Sequence, residues 1–388
     1  PSLETVIKTS LANFNKANPT IKVSWEDLVA NYYDKIGTMA AGGTLPDVVN
    51  LRSFDMYDWY RKKALYDVTN LMKQDNLTPD KYVATIGSCL QEGKYWGLPY
   101  DASVDIIFYN KDLFDKAGVK YPDKTWNWDK LLEAAKGLTK TSGSDTTQYG
   151  FAAMPPISDW QGEAFLLQSG GKFVSDNRTK FLPNTPEAVG ALQWWTDLVT
   201  KYKVAPTPAS NSSIDLFSVG KGGMNITGQW QIPTYRQGLK FAWDAAWLPS
   251  GPKGQQLETQ GGTYIIYGKT KVPDASWAML KWITSEPDWQ QNVYGAPGYS
   301  VPAWKEVDDS FVAPTKPPKS QPPSNAQVVI DELATASTGE VWPNYWNALK
   351  AWTDQVNLVL LGKATPDQAV KAAQDGANKI IQDALTNG

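Results

Sequence analysis

Apolar residues recur along this chain with two periods, and the two alternate. Leu3, Val6, Ile7, Leu11 and Phe14 fall on one helical face. Asn18-Pro19 breaks that pattern, and Ile21-Lys22-Val23-Ser24-Trp25 then reads as a strand. Asp47 to Leu51 is a second short strand after the Gly42-Gly43 turn. Val104 to Tyr109 is a third, built on Ile106-Ile107-Phe108. Helical patterns cover roughly 127–140, 185–203 and 273–285, with strands near 223–227 and 261–267. This β/α alternation predicts parallel-type sheets covered by helices.

The C-terminal pattern has its own start signal. Thr365-Pro366-Asp367-Gln368 places a capping threonine before a helical proline, with glutamine at the third position. Ala369, Ala373, Ala377, Ile380, Ile381 and Ala384 then form one apolar stripe. The proline-rich segment 313–323 reads as an extended connection. At 388 residues, two lobes are the expectation.

Composition narrows the chemistry. There is no histidine among the 388 residues, which removes Ser-His-Asp and Cys-His nucleophiles and His-metal sites together. A net charge of −3 offers no electrostatic footprint for nucleic acid or a membrane surface. Cys89 is the single cysteine and cannot form an intrachain disulfide. No run of apolar residues is long enough to span a bilayer. Gly262 to Thr270 approaches the phosphate-loop pattern, but has five residues between its glycines and reads as a strand. The 40 acidic residues leave a carboxylate pair for glycan cleavage open, since sequence does not show separation.

Eighteen tryptophans are the other unusual count, and their contexts sort them. Trp194 with Trp195, and Trp277 with Trp282, lie in helical patterns and read as packing. Trp126 and Trp128 flank a helix start, while Trp243 and Trp247 suit strand packing. Trp160, Trp230, Trp342 and Trp346 stand beside glycine, proline or polar residues, where a ring face is accessible.

Several segments together resemble the sugar-binding subunits of bacterial ABC importers, the extracellular solute-binding family that includes maltose-binding protein. They are Gly42-Gly43-Thr44-Leu45-Pro46-Asp47, Gly97-Leu98-Pro99-Tyr100-Asp101 and Tyr109-Asn110-Lys111-Asp112-Leu113-Phe114. Ser169-Gly170-Gly171, the spaced set Phe217, Gly220-Lys221, Met224, Gly228 and Trp230, and Ala275-Ser276-Trp277 also fit. Gly339 to Asn344 and Gly362 to Asp367 complete the series, which runs in family order.

The resemblance implies a two-lobed α/β fold of the periplasmic-binding-protein type, each lobe a mixed sheet covered by helices, with hinge crossovers. It assigns residues 1–110 and 260–315 to the N-terminal lobe, and 111–259 and 316–388 to the other. It implies a carbohydrate, an oligosaccharide, held in an interlobe cleft that closes before docking on the permease transmembrane subunits. It also implies a monomer outside the cytoplasm, in the periplasm or as a cell-surface lipoprotein, with its signal segment absent from this sequence. No cofactor, metal or nucleic acid enters this expectation. Relatives begin with a strand before the first helix, whereas this sequence starts at the helix.

Site residues carry over by position. Arg52, Asp55, Asp101 and Ser103 take polar contacts. Trp230 stacks on a sugar ring, with Trp160, Trp342 and Trp346 as further cleft aromatics. Gly262 lies at a crossover where its missing side chain admits the ligand. Two competing readings stay open at this point. One is a glycan-active enzyme with an aromatic cleft and paired carboxylates. The other is a static glycan-adhesion module.

Overall fold

A computed structural model describes residues 3–26, 31–153, 155, 157, 161–208 and 215–387. The chain divides into two compact units. Unit 1 comprises Pro1–Ser103, Thr259–Pro314 and Ser337–Gly339, and unit 2 comprises Val104–Glu258, Thr315–Ala336 and Glu340–Gly388. The first crossing falls at Ser103–Val104, so strand Asp105–Asn110 lies in unit 2, ahead of the expected boundary at residue 110.

Unit 1 holds a three-stranded sheet in the order Val48–Arg52, Gly262–Ile266, Leu98–Pro99. Both pairings are antiparallel, with Val48 opposite Ile266 and Arg52 opposite Gly262. Helix Leu3–Ala17 packs on it through Phe14, which is fully buried with Met279, Ile283, Trp289 and Val293. Val6, Ile7 and Leu11 join that cluster, as their helical spacing predicts.

The expected strand at 21–25 is not formed. Ile21 and Val23 turn inward onto the same cluster and Lys22 and Ser24 outward, so the alternation is realised. Residues 21–26 nevertheless join no ladder among the described residues. Period-2 patterning selects an extended backbone with one buried face, but a strand also needs a partner edge.

Unit 2 is built on a five-stranded sheet in the order Trp243–Ala246, Asp105–Asn110, Gly222–Gly228, Asp145–Phe151, Lys140–Ser142. Among the described strand pairs of this sheet, only Asp145–Phe151 with Gly222–Gly228 is parallel. The expectation of parallel-type sheets is therefore corrected to mixed sheets that are mostly antiparallel. The parallel pair is the one whose connection contains helices Gly162–Ser169 and Pro186–Thr200, long enough for a crossover.

Helix boundaries follow side-chain caps. Asn110 Oδ1 accepts from the Leu113 N–H at 3.1 Å, which starts Lys111–Ala117 directly after its strand. Asn127 and Thr185 cap Trp128–Leu138 and Pro186–Thr200 in the same way. At Pro366–Asn387 the Thr365 N–H donates to Gln368 Oε1 at 3.0 Å, and the Gln368 N–H to Thr365 Oγ1 at 3.3 Å. That is a complete capping box. Ala369, Ala373, Ala377 and Ile381 are buried along this helix. The proline-rich segment differs from expectation: Ala313–Thr315 is a 3-10 turn, and turns continue through residues 317–319 and 324–326. None of the described helices is long and apolar enough to cross a membrane.

Candidate functional site

Three predicted polar-site residues, Arg52, Asp55 and Asp101, come together at one end of the unit 1 sheet. Arg52 ends its strand opposite Gly262, and the Ser53 N–H donates to the Gly261 carbonyl at 2.9 Å. The chain then enters the helical turn Ser53–Asp55, which brings Asp55 back beneath the arginine. Arg52 Nε donates to Asp55 Oδ2 at 2.7 Å and Nη2 to Oδ1 at 3.1 Å. This two-pronged pair fixes the plane of the guanidinium. Its carbon lies 3.6 Å from the centroid of the Tyr33 ring.

Asp101 sits on the other side of Gly262, whose N–H donates to Asp101 Oδ1 at 2.6 Å. Burial pushes the Asp101 carboxyl up to about 6, while the Gly262 N–H and the Ser300 side chain pull in the opposite direction. Tyr33 is pushed up to about 12 by burial, opposed by Arg52 and reinforced by Asp55 and Asp101. One aromatic ring therefore lies in the fields of all three charged side chains.

The expected role of Gly262 is corrected. The space a Cβ would fill is taken by the Tyr100 ring, whose nearest atoms would stand 2.1 and 2.2 Å away. Glycine here serves the close approach of Tyr100. Ser103 is buried, and its backbone exchanges two hydrogen bonds with Gln260, at 2.7 and 3.0 Å. Its carbonyl also accepts from Thr259 Oγ1 at 3.2 Å. Ser103 stands where unit 1 ends, held by its backbone.

The tryptophans divide differently. Trp230 is half-buried in the turn Gln229–Gln231 that opens helix Ile232–Gly238. Its ring lies back across Gly228, where an added Cβ would stand 1.7 Å from Cζ3. Gln229 anchors this turn by accepting the Val104 N–H at 3.0 Å. Trp346 is also half-buried.

Trp342 is fully buried, against the expectation of an accessible ring. It stacks on Tyr345 at 4.2 Å and also packs on Phe173 and Phe181. Tyr345 in turn meets Trp346 edge-on at 5.1 Å, so a short aromatic row runs from core to surface. Trp342 supports Trp346 through Tyr345 and has no face of its own to present. Trp160 lies outside the described residues.

Sequence reading missed Tyr33, Tyr100 and Gln260. The Tyr32-Tyr33 pair at a helix start was the available signal for the first. The other two act through contacts far apart in sequence.

The family of bacterial extracellular solute-binding proteins matches residues 1–288. A binding protein of Brucella abortus (strain 2308) is 26% identical over 388 residues, spanning 95% of this chain and 88% of that protein. The sn-glycerol-3-phosphate-binding periplasmic protein UgpB of Salmonella typhimurium is 22% identical, with 95% of this chain and 87% of UgpB aligned. The ABC substrate-binding protein Lmo0181 of Listeria monocytogenes, solved in complex with cycloalternan, superposes with a TM-score of 0.85 at 26% identity. That alignment covers 97% of this chain and 95% of the Listeria chain. On this evidence the chain belongs to the bacterial extracellular solute-binding proteins and carries their two-lobed α/β fold.

Proposed function

We propose that the chain is the substrate-binding component of an ABC importer, that it captures a neutral oligosaccharide, and that it delivers it to the permease transmembrane subunits. It works as a monomer outside the cytoplasm, in the periplasm or as a cell-surface lipoprotein. Arg52, Asp55 and Asp101 serve sugar hydroxyls, Trp230 covers an apolar ring face, and Trp346 offers a second aromatic edge. The protein closes on its ligand before docking.

The commitment of Arg52 carries the choice of ligand. Relatives bind chemically different solutes: one is named for sn-glycerol 3-phosphate and another was solved with the oligosaccharide cycloalternan. A phosphate is favoured by an uncommitted cation or a set of converging N–H groups. Here Nε and Nη2 of Arg52 are bound to Asp55, and Asp101 adds a second carboxyl to the same set. One cation among two carboxyls favours the neutral, hydroxyl-rich ligand.

The magnitudes suffice. An aromatic side chain buries roughly 150–250 Å². If ligand covers half of it, the gain at ~25 cal/mol/Å² is about 2–3 kcal/mol. Micromolar binding needs about 8 kcal/mol net, within reach of two stacking rings and several charge-assisted hydroxyl contacts.

Calorimetry against a panel of neutral oligosaccharides, with sn-glycerol 3-phosphate alongside, tests the proposal. At least one oligosaccharide is expected to bind while the phosphate does not. Binding of the phosphate alone overturns it. New reducing ends released from the bound glycan point to an enzyme instead.

A further inference from the structure

Three glutamates of unit 2 converge where the chain leaves that unit and returns to it. Glu258 is its last residue before the chain passes to Thr259, and Glu340 is the first after the return from Gly339. Both meet Glu163, the second residue of helix Gly162–Ser169. Glu163 is 1% exposed and Glu258 7%. Glu163 Oε1 accepts the Glu340 N–H at 2.7 Å, Glu163 Oε2 is buried and receives no donor among the described residues, and Glu258 is its carboxyl neighbour. The Glu340 carboxyl faces the other way, with Oε2 accepting the N–H groups of Phe173 at 3.1 Å and Val174 at 3.3 Å.

Two ionised carboxylates are both acceptors, so they cannot hydrogen-bond one another. Two neighbouring buried carboxyl groups are best accommodated when one carries a proton and donates it to the other. The charged groups facing this cluster are few. Glu163, Glu258 and Glu340 supply the acids, and Lys172 supplies the cation nearest Glu340. Lys172 is itself shared with Asp176 at 2.6 Å. Burial, reinforced by the carboxyl neighbour, raises Glu163 well above the usual carboxylate range, and burial with Glu163 brings Glu340 up to about 7.

We propose that Glu163 and Glu258 share one proton and, with Glu340, form a proton-operated clasp on two of the five chain crossings between the units, those at Glu258–Thr259 and Gly339–Glu340. With the proton present, Glu163 ties both segments to one helix. When the proton leaves to water, two buried carboxylates face each other and the clasp opens. The retention of the clasp at low pH and its loss at high pH make it a sensor of alkaline conditions. This inference does not depend on the identity of the ligand.

Hydrogen exchange followed by mass spectrometry across a pH series reads the clasp directly. After correction for intrinsic exchange, amides of residues 337–341 are expected to become less protected as pH rises. One coupled proton gives up to a tenfold rise in opening per pH unit. Glu163→Gln imitates the protonated acid, since its carbonyl can accept the Glu340 N–H while its amide donates to Glu258. It is expected to hold the segment closed at every pH. A wild-type segment whose protection tracks the rest of the protein overturns the clasp, as does an unchanged profile in Glu163→Gln. If that variant does not fold, infrared spectra of the wild type decide. A protonated carboxyl band persisting at neutral pH, and altered in Glu258→Gln, supports the shared proton, whereas no such band rejects it.

Discussion

The backbone N–H of Gly262 donates to Oδ1 of Asp101 at 2.6 Å, across 161 residues of sequence. This bond ties the start of the central unit 1 strand to the acid that the polar set needs. Gly262 also pairs with Arg52, so one glycine backbone positions both charges. Under the proposed function, protonation of Asp101 is expected to bear on stability and on binding with opposite signs.

Burial raises the Asp101 carboxyl from 3.8 to about 6. The folded state thus binds this proton more tightly than the unfolded chain. Its contribution to stability is fully present below about 4 and is lost as pH rises through about 6. Sugar binding runs the other way, because the ionised carboxyl is the stronger acceptor of hydroxyl hydrogens. Calorimetric affinity for the oligosaccharide is expected to climb as pH passes through about 6 and then level off. Asp101→Asn should flatten that profile. A wild-type profile without a step near 6 removes Asp101 from the binding set.

Gly262→Ala tests the filled space beside Tyr100. The new methyl overlaps the ring, and a packed ring displaced from its site costs about 1–3 kcal/mol. Thermal unfolding should show a lower Tm. A double change with Tyr100→Leu should recover part of the loss, and unchanged stability in the single variant would mean that the ring moves freely.

Trp230→Ala is expected to weaken oligosaccharide binding at least tenfold while the protein remains folded, because the ring is half-buried at the head of a short helix. A tenfold loss corresponds to about 1.4 kcal/mol. Equal affinity in calorimetry shows that the ring touches no ligand.

Trp342→Ala provides the contrast. The ring is enclosed by Phe173, Phe181 and Tyr345, so its removal opens a core cavity at a cost of about 3–5 kcal/mol. The variant should fail by stability, read as a fall in the urea midpoint. If it unfolds normally but loses affinity, Trp342 belongs to the site after all.

Elements with strong local signals were legible in the sequence. The capping box at Thr365 and the apolar face of Leu3–Ala17 depend on neighbours a few residues away, and both formed as read. Family motifs pointed to Arg52, Asp55 and Asp101, which the fold brings together, but not to the reason they cohere. Tyr100 fills the space at Gly262, and Tyr33 lies under Arg52, through contacts that no local pattern encodes. Trp342 and Trp346 have nearly the same sequence context, yet one is core and the other half-buried. Their difference is set by Phe173 and Phe181, far upstream. Residues 21–25 mark the converse limit: the alternation is realised, but they join no ladder among the described residues.

The order of strands in the unit 1 sheet also has a consequence for synthesis on the ribosome. Gly262–Ile266 is the middle strand, yet it is made after both of its neighbours and after all five strands of the unit 2 sheet. Val48–Arg52 and Leu98–Pro99 therefore emerge with no middle strand to join them. The N-terminal stretch must wait, with apolar faces uncovered, until more than half the polypeptide has been translated. Nascent chains halted before this strand are the ones a chaperone has most reason to hold.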